Sequence, residues 1–353
     1  MADTNIEYLT KSWNPIQTKI KGPSGNGYHC THVSKGCHNC WAEEMNNRFG
    51  NKHPFNTKKF EYEIKKSELN KPFSWCKPQR VGVQFMGDLF HEDISFELVN
   101  EVFDVMCTDL VRKCKHDGCE LTEDCFKSVI KHDYFILTKR PERILEFINW
   151  VKENGDADYP FAMTLAESKK IPKNIWIGTS VSDQPSANKR VPELLKLRKE
   201  FLNVNLWLSV EPLLDRIDLD PVQLIEYKGL DTPLIAPSYN NIVSWLGQGI
   251  DWVVASGESG KGARPLHPDW VRKIRDDCKA AGVKFFFKQW GEWLHINMCS
   301  AKVGINSFNR KFNHKYTEIS NGVYYDTYAR LGKKKAGRLL DGIKHNEFPG
   351  KAI

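Results

Sequence analysis

Along this chain a short, largely apolar run repeatedly ends in a polar residue and gives way to a helical pattern. That recurrence limits the fold more than any other feature. The runs are residues 81–86, ending at Gly87-Asp88, and residues 134–137, ending at Thr138-Lys139-Arg140. Residues 175–178 end at Thr179-Ser180, and residues 206–210 end at Glu211-Pro212. Residues 252–255 end at Ser256-Gly257-Glu258, and residues 283–287 end at Lys288-Gln289. Near-continuous apolar strands alternating with helices indicate a parallel sheet covered on both faces. The expected fold is α/β, a full or partial (β/α) barrel of the TIM type over residues 1–295. Surface insertions are expected at about 112–131 and 214–249, with a C-terminal extension over 296–353 that carries the basic run Lys333-Lys334-Lys335.

In such barrels the C-terminal strand ends build the active site. Those ends here carry Asp88, Thr138, Lys139, Arg140, Ser180, Asp183, Glu211, Ser256, Glu258, Lys288 and Gln289. Polar residues also end strands simply because strands end at the surface. Glu211 and Glu258 stand out, each lying between a strongly apolar run and a Pro or Gly turn.

Composition excludes some classes. No stretch approaches the roughly 18 apolar residues of a membrane span. The N-terminus, Met1-Ala2-Asp3-Thr4-Asn5, has no basic region and no apolar core of a secretory signal, so a cytoplasmic protein is expected. The formal net charge of +7 permits a polyanionic partner without demanding one. Ten cysteines in a long chain without a signal point to metal rather than to a disulfide scaffold.

The sharpest local feature is Cys30-x6-Cys37-x2-Cys40, with the last cysteine entering a helix at Trp41. Three thiolates on one loop can close on a single metal centre. Structural zinc and ordinary electron-transfer clusters take four ligands, whereas a three-Cys [4Fe–4S] cluster keeps one iron open. A fourth ligand from His29, His32 or His38 would give a zinc knuckle instead. Cys114, Cys119 and Cys125 with His116 are loose thiols or a second metal site.

Around this loop stand Trp13-Asn14-Pro15, Gly87-Asp88-Leu89-Phe90-His91-Glu92, Leu137-Thr138-Lys139-Arg140-Pro141-Glu142-Arg143 and Ser209-Val210-Glu211-Pro212-Leu213. Gly257-Glu258-Ser259-Gly260, Ala263-Arg264-Pro265 and Phe286-Phe287-Lys288-Gln289-Trp290-Gly291 follow. In this order the motifs resemble a phage and bacterial three-Cys family of unknown function, similar to radical S-adenosylmethionine (SAM) proteins such as spore photoproduct lyase. The resemblance runs from about Trp13 to Trp293, and residues 332–349 look like the family's C-terminal signature.

The resemblance implies a [4Fe–4S] cluster on Cys30, Cys37 and Cys40 whose open iron chelates SAM. An electron from a reducing donor then splits SAM to a 5′-deoxyadenosyl radical that abstracts hydrogen from substrate. It implies Asp88 at the SAM amine, Ser180, Asp183 and Glu211 at the ribose, and Lys139 and Arg140 at the SAM carboxylate or a substrate phosphate. Glu258, Arg264, Lys288 and Gln289 would contact substrate. The spacing departs from the usual x3-then-x2 pattern, and Asn39 stands where an aromatic residue is common. By analogy with a DNA-repair lyase, the expected substrate is a nucleic-acid base or nucleotide. The alternative is a non-catalytic phage protein, bearing zinc or a cluster, that binds nucleic acid or a host protein.

Overall fold

A computed structural model describes residues 4–19, 21–22, 25–56, 60–108, 132–156, 159–219, 244–298, 316–320 and 325–349. Its strands are β1 (Lys11–Trp13), β2 (Ile16–Thr18), β3 (Lys21–Gly22), β4 (Gly25–Asn26), β5 (Tyr62–Ile64), β6 (Arg80–Val83) and β7 (Asp133–Thr138). These are followed by β8 (Ile175–Ser180), β9 (Asn205–Val210), β10 (Trp252–Ser256), β11 (Lys284–Gln289), β12 (Trp293–His295), β13 (Tyr316–Ser320) and β14 (Tyr325–Arg330). The expected insertion at 112–131 lies outside the described residues, as does most of the second, and so do Cys114, His116, Cys119 and Cys125.

Two compact units divide the chain, one of residues 1–180 with 196–209, the other of 181–195 with 210–350. In the first unit β1, β6, β7, β8 and β9 are hydrogen-bonded in that order, all parallel. In the second, β10 and β11 pair in parallel, and β12, β14 and β13 form an antiparallel sheet. The α/β class and the parallel strands joined by helices are as the sequence predicts. Among the described residues no helix is long and apolar enough to cross a membrane.

Local chemistry sets each ladder. Gly178 lies in the middle of β8 because a Cβ there would come within 2.4 Å of the indole nitrogen of Trp207, which donates to the Ile136 carbonyl at 3.1 Å. The first predicted strand stops early, at Val83, because Gln84 turns into the left-handed region (φ 57°). Its side-chain amide then pairs with the backbone of Ile16, accepting at 3.1 Å and donating at 2.8 Å, which ties the end of β6 to β2. Residues after Trp293, where the alternation fades, form β12 to β14. Further on, Phe287 N–H donates to the His345 carbonyl and Trp290 N–H to that of Gly337, so the C-terminal stretch covers β11.

Helices Phe96–Thr108, Glu142–Asn154 and Pro160–Ser168 pack through Phe103, Phe147 and Phe161, with ring centroids 4.7–5.8 Å apart. Among them Asp104 accepts from Phe161 N–H at 3.0 Å and from Asn100 Nδ2 at 3.0 Å. Burial raises its carboxyl from 3.8 to about 6, against the pull of the Phe161 N–H. Between those values the folded chain keeps a proton that the unfolded chain has released, so stability falls as pH rises through this window. Asp104→Asn is expected to add on the order of 1–3 kcal/mol at about pH 7.5, a gain that shrinks towards about pH 4. Asn100, whose buried Oδ1 has no partner among the described residues, can rotate to accept from the new amide. Urea unfolding of both proteins at the two pH values checks this, and an equal gain at both would refute it.

Candidate functional site

The cysteine loop runs from buried His29 through a short 3-10 turn (Lys35–Cys37) into the helix Trp41–Phe49, with Cys40 as its N-terminal flanking residue. The three thiols sit in different fields. Burial, with Asp88 adding to it, pushes Cys30 up to about 12. Burial also opposes the Cys37 thiolate, but Lys139, the backbone of Val33 and Ser34, and the Ser34 hydroxyl outweigh it and lower that thiol. Cys40 is raised by burial, against the N–H groups of Glu43 and Ala42 at the helix start and against Lys139. One ammonium, that of Lys139, thus favours the thiolate at all three positions.

Lys139 and Arg140 follow β7, and Asp88 follows β6. The Asp88 carboxylate accepts from Thr138 Oγ1 (2.6 Å), Lys139 N–H (3.0 Å), Phe90 N–H (3.0 Å) and Arg140 Nη1 (3.0 Å). Its oxygens are taken up in fixing the turn that presents Lys139 and Arg140. Arg140 is buried and spends its guanidinium entirely inside the protein. Nε donates to Glu92 (2.6 Å), Nη1 to Asp88 and towards Cys30 Sγ (4.0 Å), and Nη2 to the hydroxyl and carbonyl of Thr31. Five N–H groups meet five acceptors, leaving none for a ligand's carboxylate or phosphate. Among the described residues, the Lys139 ammonium makes no hydrogen bond or ion pair.

Thr31, His91 and Glu92 are the members that strand-end reasoning did not select. His91 Nδ1 accepts from Asp93 N–H, so its proton lies on Nε2, which faces Thr31 Oγ1 at 3.1 Å. Thr31 in turn donates to Glu92 at 2.9 Å. Burial opposes the Glu92 carboxylate, but its own backbone N–H, Arg140 and Thr31 hold it down at about 2. The pairing of Asp88 with Glu92 four residues later, just after a strand, is the sequence signal that marks this side of the network.

The remaining candidates divide between the units. Ser180, in the first, is buried at the end of β8. Asp183 flanks the helix Gln184–Glu200 and accepts from Ser186 N–H at 3.0 Å, while Ser186 Oγ accepts from Asp183 N–H, a capping role. Also in the second unit, Glu211 pairs with Lys288 at 3.0 Å. Buried Glu258 holds Arg264 through Nε (2.8 Å), Nη2 (2.6 Å) and the backbone N–H (2.8 Å). Close backbone approach positions this pair: a Cβ at Gly257 would meet the Trp290 carbonyl at 1.9 Å, and one at Gly291 (φ 89°) that of Glu258 at 2.1 Å. Gln289 is buried, and its Oε1 has no partner among the described residues.

The candidate ligand groups differ in how closely their atoms gather. Two sulfurs on one tetrahedral zinc lie about 3.8 Å apart, given a Zn–S bond of about 2.3 Å. Among the described residues, the group of metal-ligating atoms lying within 4.8 Å of one another is His267, His295 and Asp326, and the three cysteines do not meet that spacing. A four-iron cube places iron and sulfide between its thiolates and accepts a wider triangle. The His29 Nδ1 faces Tyr62 Oη at 3.1 Å, and His32 Nε2 faces Glu43 at 2.8 Å.

The histidine pair does not suit a metal. Nδ1 of His267 accepts from Asp269 N–H (3.1 Å) and Nδ1 of His295 from Asn297 N–H (3.2 Å), so each ring proton sits on Nε2, facing Asp326. Ligation through Nε2 needs that proton on Nδ1, where a backbone N–H already points.

No curated protein matches this chain, and no solved structure does. Residues 3–349 match the model of the family described as protein of unknown function DUF5131, and the chain belongs to that family.

Proposed function

We propose that this is an iron–sulfur protein of the radical SAM type, built on a partial (β/α) barrel, in which Cys30, Cys37 and Cys40 hold a [4Fe–4S] cluster. The observation that carries the reading is the placing of one ammonium, that of Lys139, unpaired among the described residues, so that it favours the thiolate at all three cysteines. When bound and reduced, the cluster supplies the electron that cleaves SAM. Lys139 is the cation left to receive the SAM carboxylate or a substrate phosphate, because Arg140 is fully engaged. Asp88 orients the turn rather than meeting the SAM amine. In the second unit, Gln289 offers a buried amide oxygen to an amino group, which suits the edge of a nucleobase.

The test is anaerobic. The protein is loaded with iron and sulfide, reduced, given SAM, and 5′-deoxyadenosine is quantified by mass spectrometry. Production well above a Cys37→Ala control is expected. Lys139→Met should need about tenfold more SAM for half-maximal production, the equivalent of one lost charge contact. Uptake of zinc alone would favour the non-catalytic alternative.

A further inference from the structure

We propose that Arg140 is a positioning residue for the sulfur of Cys30 that sets the reduction potential of the metal centre, with Asp88 and Glu92 as its built-in counter-charges. This rests on the reading that the three cysteines hold an iron–sulfur cluster.

Three features of the geometry support it. Nη1 of Arg140 stands 4.0 Å from Cys30 Sγ, and the Arg140 residue is 5% exposed. Every other donor of that group is anchored, to Glu92, Asp88 and both oxygens of Thr31, so the orientation towards sulfur is fixed from four sides. The anchors are themselves held: Asp88 by Thr138 and two backbone N–H groups, Thr31 by His91. Such a device is costly if its purpose is only packing, since buried charge gains little over apolar residues of equal size.

The consequence follows from electrostatics. Hydrogen bonds and net charge at the sulfurs are main determinants of a cluster's potential. Reduction adds negative charge, which a fixed cation beside one thiolate stabilises. The two carboxylates act the other way and partly offset it. Removing the cation lets the Asp88 and Glu92 charges weigh more heavily at the sulfur, whereas removing the Glu92 charge strengthens the cation's field there.

Wild type, Arg140→Met and Glu92→Gln would be loaded anaerobically with iron and sulfide, and their potentials read by optical redox titration. Arg140→Met should titrate at more negative potential than wild type, and Glu92→Gln at more positive potential. A purely structural role predicts neither this opposition of sign nor any shift at unchanged iron content. Unmoved potentials, or shifts in the same direction, would overturn the proposal. Glu92 is half-exposed, so Glu92→Gln keeps the proposal falsifiable if Arg140→Met fails to fold by circular dichroism: an unmoved or more negative potential there also overturns it. A wild type that takes up no cluster sinks the proposed function itself and this inference with it, an outcome distinct from a loaded cluster with unmoved potentials.

Discussion

Cys30→Ala, Cys37→Ala and Cys40→Ala should each lose more than about tenfold in bound iron and sulfide after anaerobic reconstitution, because losing a direct ligand exceeds the cost of changing a residue that only hydrogen-bonds to a ligand. Cys76→Ala, Cys107→Ala and Cys278→Ala should keep the wild-type content. The contrast has a physical origin. Cys107 and Cys278 are buried, and burial drives the Cys107 thiol far up with Asp104 adding to it, while Cys76 is exposed. Lys139, by contrast, favours the thiolate form at all three loop cysteines. Metal analysis with visible spectroscopy reads the result. Wild-type content retained in Cys37→Ala would refute the ligand assignment, and uniform loss in all six variants would show that only folding was being measured.

The parts of this molecule legible in sequence were those written in neighbouring residues. β7, β8 and β10 announce themselves as apolar runs, and the spacing of Cys30, Cys37 and Cys40 places them on one loop. Asp183, which the resemblance places at the SAM ribose, accepts from Ser186 N–H at the start of the following helix, a contact that the sequence analysis did not anticipate. β1 carries no strand signal in the sequence because three residues hold no periodicity; it exists through pairing with β6. The short antiparallel strands after Trp293 escaped for the same reason. The state of Arg140 was illegible for another cause. A strand-end arginine looks available to a ligand until Thr31 and Glu92, from distant segments, are seen to occupy its donors. Glu258 with Arg264, and Glu211 with Lys288, likewise read as separate charges in sequence and as neutralised pairs in the fold.

Asp88→Ala is expected to be the most damaging single change to stability, with a loss on the order of 3–5 kcal/mol, the range for removing one partner of a buried ion pair. The Arg140–Asp88 pair is 3.0 Å apart with both side chains 6% exposed, so water cannot replace the missing carboxylate. The same substitution also strips acceptors from the Thr138 hydroxyl and from the N–H groups of Phe90 and Lys139. Asp88→Asn restores the shape but turns an amide towards donors, so it should recover only part of the loss. Glu92→Gln is the internal comparison. Glu92 contacts the same guanidinium at 2.6 Å, yet it is half-exposed, and its loss should cost no more than about 1 kcal/mol. Urea unfolding of the metal-free proteins separates the two cases without reference to any cofactor. Equal losses in Asp88→Ala and Glu92→Gln would show that burial does not govern this network, and that Arg140 is held by orientation alone.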